Sequence, residues 1–263
     1  MLRLSQGQLN LLETCPRKFQ HIYIDQLGSL TSPDQQERST WGTRFHLLMQ
    51  QRELGLPVPE IKEAIDPVDG QLQRCVEALI ETAPEIFQLP SSIRQSEYNH
   101  SIEYQGYLLT VVYDLLILDD REAQILDWKT YSRPHQPRWL EQNWQTRLYR
   151  FVLAETRDYA PEQISMTYWF VQGRSADTPT PQSLRFAYDS MQHQQTKRDL
   201  DQLLNQLTDW LERYQAGQPF PQIAESASDC DLCTFAMRCQ RGEQMTANQQ
   251  IPDLADIQEI VLS

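Results

Sequence analysis

At 263 residues, 40% of them hydrophobic and 22% charged, the chain can bury one sizeable core, and a single domain with elaborations is expected. A net charge of −13 excludes a protein that coats nucleic acid through bulk charge, although a local basic strip can still guide a phosphate backbone. There is no apolar run of about 18 residues and no basic-then-apolar leader, so we expect an intracellular, cytoplasmic protein without a membrane partner. Its five cysteines then read as ligands or buried thiols rather than disulfides.

In chain order, Ser5 with Gln8 reads as a capping box opening a helix through Leu12, and a second helical stretch follows Pro16. A polar link runs from Leu27 to Ser39. Thr40 caps a helix from about Trp41 to Glu53, and Pro67 opens another to about Ala83. From Arg94 to Thr130 the texture is β: "RQSEYNHSIEY", a Gln105-Gly106 turn, "YLLTVVYDLLIL", the charged tetrad Asp119 to Glu122, then "AQILDWKT". This is a three-stranded meander. A helical pattern from Arg138 to Arg157, the strand "ISMTYWFV", a Pro-rich loop, a short strand from Leu184 to Tyr188 and a helix to Gln215 complete the regular part. From Pro219 on, periodicity fades and three cysteines gather.

The hairpin around the charged tetrad carries the first chemistry. A loop centred between Asp120 and Arg121 makes paired positions sum to 241, which sets Asp114 opposite Asp127. Like charges facing each other across two strands repel, and both strands are otherwise apolar enough to be buried. Side-chain alternation puts Lys129 on the face of Asp127 and turns Trp128 away. Two solutions fit: a buried Asp–Lys pair balancing a second Asp, or a divalent metal shared by both carboxylates, which would keep waters and leave room for a phosphate.

Other residues are suggestive singly. In "WGTRFH", Gly42 lies one helical turn before His46, as if another element approached closely there. A lone His on such a helix is either structural or a ligand. Gln145 and Tyr149 share a helix face at i, i+4 and either satisfy each other or hold a phosphate or the lysine.

Taken together, "CPRKF", "GTRFH", the Asp114 closing "VVYD", "DWKT", "QTRLY" and the late cysteines resemble the PD-(D/E)XK nuclease superfamily, in particular its RecB-like branch, over about residues 4 to 240. The resemblance implies that His46, Asp114 and Asp127 bind Mg²⁺ or Mn²⁺, with the Trp128 carbonyl as a further ligand. It implies that Lys129 orients or deprotonates water and stabilises the phosphorane, while Gln145 and Tyr149 steady the site. One departure is that Thr110, Val111, Val112 and Tyr113 precede Asp114, where many relatives carry a glycine.

Cys230, Cys233 and Cys239 form C-x2-C-x5-C without a local fourth ligand, which leaves Cys15; Cys75 falls on a helical face with Val68, Leu72 and Leu79 and reads as a core thiol. Four thiolates suit structural zinc or a [4Fe-4S] cluster equally. The iron-sulfur subset of RecB-like nucleases, which uses one early and three late cysteines, implies the cluster.

The expectation is therefore an α/β restriction-endonuclease-like core, a mixed central sheet flanked by helices, plus a four-cysteine iron-sulfur lobe joining the chain's ends. The domain spans residues 1–240, with a helical insertion at about 40–90, the catalytic sheet and helix at about 94–171, and a tail at 241–263. The implied function is a metal-dependent deoxyribonuclease, an exonuclease on single-stranded or free DNA ends in repair or recombination, with a helicase or repair partner. A CRISPR-associated adaptation nuclease and a non-catalytic DNA-binding subunit are the alternatives. Arg17, Lys18, Arg44, Arg133, Arg138, Trp139 and Arg147 are candidate contacts to the nucleic acid.

Overall fold

The computed structural model describes residues 1–28, 33–56, 67–87, 93–171, 180–224, 230 and 233–241. Most of the Pro-rich loop, part of the polar link and nearly all of the tail lie outside them. Strand β2 (Ile93–Tyr104) turns through Gln105 and Gly106 into β3 (Tyr107–Leu118). Both turn residues have positive φ, 48° and 79°, the two-residue geometry whose twist matches that of paired strands. The next turn is held by Asp119, whose carboxylate accepts the amides of Arg121 at 2.7 Å and Glu122 at 2.8 Å. It delivers β4 (Ala123–Lys129) in the expected register, from Leu118↔Ala123 to Leu115↔Leu126.

β3 is the central strand. One of its edges pairs with β2 along nearly its whole length. The other edge is shared: β1 (Arg3–Ser5) runs parallel to Leu108–Thr110, and β4 runs antiparallel from Leu115 on. Residues 111–114 therefore cross a fork between two neighbours. Beyond β4 the sheet continues with β5 (Ile164–Phe170), parallel, and β6 (Gln182–Ala187), antiparallel, so it is mixed as expected. A strand as short as β1 has no readable periodicity, and the sequence pattern does not announce it.

Helices cover both faces. On one lie α1 (Gln6–Thr14), α7 (Trp144–Thr156) and α8 (Ser190–Gln215), packing Leu9, Leu148, Phe151, Leu200 and Leu204 against Leu109, Val111 and Tyr113. On the other lie α3 (Pro33–Glu53), α4 (Pro67–Thr82) and α5 (Pro84–Phe87), packing Phe45, Leu72, Cys75 and Leu79 against Leu115, Ile117 and Trp128. Each such side chain contributes roughly 1.5–3 kcal/mol by leaving water. Cys75 is fully buried in this second core.

Two expected boundaries change. The pattern from Arg138 to Arg157 is not one helix: α6 (Arg138–Gln142) ends before Asn143, whose ψ of 141° breaks the spiral, and α7 starts afresh. The Asn143 carboxamide caps α7 by accepting the Gln145 amide at 2.9 Å and is itself held by Asn10 at 3.0 Å. Likewise α3 begins at Pro33, so Thr40 is no cap; its hydroxyl bonds the Gln36 carbonyl one turn back.

The two ends of the chain are clasped. After α2 (Pro16–Phe19) a π-helical turn, Gln20–Ile24, packs beside Phe220. Arg17 donates to the Phe220 carbonyl at 2.7 Å, Gln20 accepts the Phe220 amide at 2.7 Å, and the Tyr214 hydroxyl donates to Asp25 at 2.6 Å. No helix among the described residues is long and apolar enough to cross a membrane.

Candidate active site

The fork in β3 is where the charges converge. Up to Tyr113 the odd-numbered residues of β3 pack on the α7 face, whereas beyond the fork Leu116 and Leu118 do so and Leu115 turns to the α3 face. The alternation slips by one at Asp114. That slip frees its carboxylate from the sheet face: Oδ2 accepts the Trp128 amide at 2.7 Å, and Oδ1 lies 3.4 Å from His46 Nδ1. The expectation of two aspartates side by side on one face is thereby refined. Asp114 belongs to the fork, and Asp127 faces α7.

Asp127 is 1% exposed and has three neighbours of distinct kind. Lys129 Nζ is 2.5 Å from its Oδ1 in a buried ion pair, and Gln145 Nε2 donates to Oδ2 at 2.6 Å. The Gln145 carbonyl oxygen in turn accepts from Lys129 at 3.0 Å. The helix break at Asn143 is what brings Gln145 here, in the first turn of α7. Burial and the neighbouring Asp114 push the Asp127 carboxyl upward, opposed by Lys129. For Lys129, burial favours the neutral amine, but Asp127 overrules it and the shift is upward. Lys129 is thus held as a cation at neutral pH, able to donate and to stabilise negative charge.

Tyr149, one turn beyond Gln145, is buried, and its hydroxyl interacts with Gln145 and the Val112 backbone. Burial first, then Asp127 and Asp114, drive its acidity well down. Lys129 also sits over the Tyr168 ring at 5.3 Å.

His46 reaches the fork from the other face. A Cβ on Gly42 would stand 3.4 Å from the Thr130 hydroxyl, at the edge of ordinary contact, so α3 passes close beside the residue that follows β4. His46 Nε2 lies 3.1 Å from the Trp128 carbonyl, and Nδ1 lies 3.4 Å from both Asp114 and Glu97. Burial opposes protonation of the ring, yet Asp114 and Glu97 raise its pKa to about 10. Among the described residues, the group whose ligand atoms all lie within 4.8 Å of one another is His46, Glu97 and Asp114.

Glu97 is the residue that sequence reasoning missed. The signal was available: the two-residue Gln105-Gly106 turn makes β2 and β3 partners sum to 211, which places Glu97 opposite Asp114.

The cysteines form a second, separate constellation. Cys15, Cys230, Cys233 and Cys239 line one cavity of about 110 Å³ together with Arg17, Lys18 and Arg241, although no three sulfurs lie within 4.8 Å of one another. Arg241 donates toward Cys230 Sγ at 3.6 Å. Burial shifts the Cys239 thiol upward, with Arg17 opposing. Of the proposed nucleic-acid contacts, Arg17 is committed to this lobe and Arg147 to Asp199 and the Trp144 ring. Trp139 is exposed, and Arg133 lines an open groove with His135 and Phe170.

This arrangement coincides with a family pattern. A model of the PD-(D/E)XK nuclease superfamily matches residues 3–240. The chain belongs to that superfamily. Its fold resembles the crystal structure of a protein from Eubacterium rectale described as a candidate exonuclease, with a TM-score of 0.54 at 10% identity over 87% of this chain and 86% of that one. A further structure, that of SSO0001, aligns at 11% identity over 75% of this chain and 95% of its own, with a TM-score of 0.32. No curated protein sequence gives a significant match. Members of the superfamily use divalent metals, and the donors gathered at the fork are of the hard oxygen and imidazole type that such ions take.

Proposed function

We propose that this nuclease-superfamily chain is a Mg²⁺- or Mn²⁺-dependent deoxyribonuclease that hydrolyses phosphodiester bonds at single-stranded or free DNA ends, as a RecB-like enzyme of repair or recombination. The observation that carries the reading is the Asp127–Lys129–Gln145 triangle set beside Asp114 and His46 at the fork. A divalent ion held by His46, Asp114 and Asp127 would supply Lewis acidity and a nucleophilic water. The chain's own residues do the rest. Lys129 keeps its proton and meets the charge that develops on the phosphate, Gln145 holds Lys129 and Asp127 in one geometry, and Tyr149 supports Gln145 from below. Trp139 and Arg133 lie on accessible surface where a strand could stack and pair.

The domain in this reading is residues 1–240, with Cys15, Cys230, Cys233 and Cys239 holding a [4Fe-4S] cluster. Two features support the cluster over structural zinc. Zn–S bonds of about 2.3 Å hold thiolates roughly 3.8 Å apart, whereas a cluster spreads its ligands over several irons and a wider span. Three cations also line the cavity and would balance the anionic cluster.

The test is digestion of end-labelled single- and double-stranded DNA with Mg²⁺, with Mn²⁺ and with chelator. Metal-dependent shortening from an end is expected. Intact DNA in every lane, from protein that binds metal, would defeat the assignment.

A further inference from the structure

We infer that Glu97 is a metal ligand of this site, completing with His46 Nδ1 and Asp114 Oδ1 a position for a divalent cation, Mn²⁺ in preference to Mg²⁺. The inference deepens the proposed function and rests on it for the metal's role, but its test does not depend on cleavage.

Three elements contribute one group each. His46 comes from α3, Glu97 from β2 and Asp114 from β3, and Nδ1 is 3.4 Å from a carboxylate oxygen of each acid. Ligands at right angles on an ion with bonds of about 2.2 Å lie roughly 3.1 Å apart, so small closure seats the ion. The other ring nitrogen faces the Trp128 carbonyl at 3.1 Å. A proton on Nε2 donates there and leaves the Nδ1 lone pair pointing at both acids. Trp128 then orients the ring instead of ligating.

The backbone is shaped for this purpose and against its own pairing. The β2–β3 register runs at every step from Ile93↔Leu118 to Tyr104↔Tyr107 except at Glu97 and Asp114. Glu97 has φ of 49°, a left-handed conformation that costs a non-glycine residue of order 1 kcal/mol or more. The Asp114 carbonyl is served by the Ser96 hydroxyl at 3.1 Å. Two acids opposed across strands repel, and the nearest lysine is committed to Asp127 and Gln145. Asp127, buried, ion-paired with Lys129 through Oδ1 and pushed upward in pKa by burial and by Asp114, borders the same fork. An ion with imidazole and carboxylate ligands relieves the repulsion, and the imidazole favours Mn²⁺ over Mg²⁺.

The experiment is Mn²⁺ titration of the full chain, read by the electron paramagnetic resonance of the free ion, for the wild type, Glu97→Gln and Glu97→Gly. Each variant is also melted with and without Mn²⁺. Both are expected to weaken Mn²⁺ binding by about tenfold or more and to lose the Mn²⁺-induced rise in Tm. Without metal, Glu97→Gly should melt no lower than wild type, because glycine accepts the left-handed backbone. Affinity for Mn²⁺ within about twofold of wild type in Glu97→Gln overturns the inference. So does a retained Mn²⁺-induced rise in Glu97→Gly. Cleavage by wild type alongside unchanged binding in Glu97→Gln defeats this inference and leaves the nuclease; Glu97-dependent binding without cleavage does the reverse.

Discussion

The fork of β3 and the clasp between the chain ends treat polar groups in opposite ways. At the clasp the paired groups are complementary, with only His21 Nε2 left buried and unpartnered: Arg17 and Gln20 satisfy the Phe220 backbone, and Asp25 accepts from Tyr214 and faces His21 Nδ1 at 2.9 Å. At the fork, Asp114 and Glu97 share one small volume with His46, Asp127 lies near enough to Asp114 to be repelled by it, and a left-handed Glu97 is retained. Such a concentration of like charge survives because two apolar cores grip the strands on either side. The clasp stabilises the fold, whereas the fork draws on that stability to hold groups ready for a cation and a phosphate.

The sharpest way to break this contrast is Asp127→Asn. Activity on labelled single-stranded DNA should fall by about 10²–10³-fold, the usual loss for one preorganised group. Retained activity with a lower Tm would move Asp127 to the structural side of the comparison. Cys15→Ala addresses the other side. It should bleach anaerobically purified protein and cost on the order of 2–4 kcal/mol in denaturant unfolding, the magnitude expected for undoing a long-range cross-link. Colourless wild-type protein carrying one zinc would replace the cluster with structural zinc.

Asn143→Ala reaches the fork indirectly. Loss of the α7 cap should cost about 1 kcal/mol in urea unfolding and lower kcat through the displaced Gln145, with Mn²⁺ affinity kept. A stability loss at unchanged kcat would show that the helix break does not position Gln145.

The last test is in pH, and the two regions should have opposite signs. His46, raised to about 10 in the metal-free fold, contributes stability that is present below its unfolded value near 6.5 and is lost as pH rises toward 10. Asp25 is shifted downward: burial works against this, but the Tyr214 and His21 hydrogen bonds prevail. Its contribution is therefore present above its unfolded value near 3.9 and is lost as pH falls. Comparing melts of wild type, His46→Gln and Tyr214→Phe across pH should show the first difference fading on the alkaline side and the second on the acid side. Parallel curves would remove the distinction.

Much of this was legible in the chain itself. The hairpin register summing to 241 followed from the position of the charged tetrad, and Gly42 announced a close approach that turned out to be the end of β4. The break at Asn143 is not visible in the apolar spacing; its capping carboxamide is held by Asn10, more than a hundred residues away. By apolar spacing alone the stretch from Arg138 to Arg157 reads as one helix.

What the sequence by itself determined was the inventory and its local spacing: which strands pair by short turns, which aspartates and lysine share the second hairpin, and which cysteine spacing lacks a ligand. Turns and alternation are local, so they can be read residue by residue. Only the tertiary structure decided that β1 and β4 share one edge of β3, that the alternation slips at Asp114, and that His46 meets Glu97 across the sheet. Those outcomes depend on how two cores pack against a single strand, a balance of long-range contacts that no local pattern encodes.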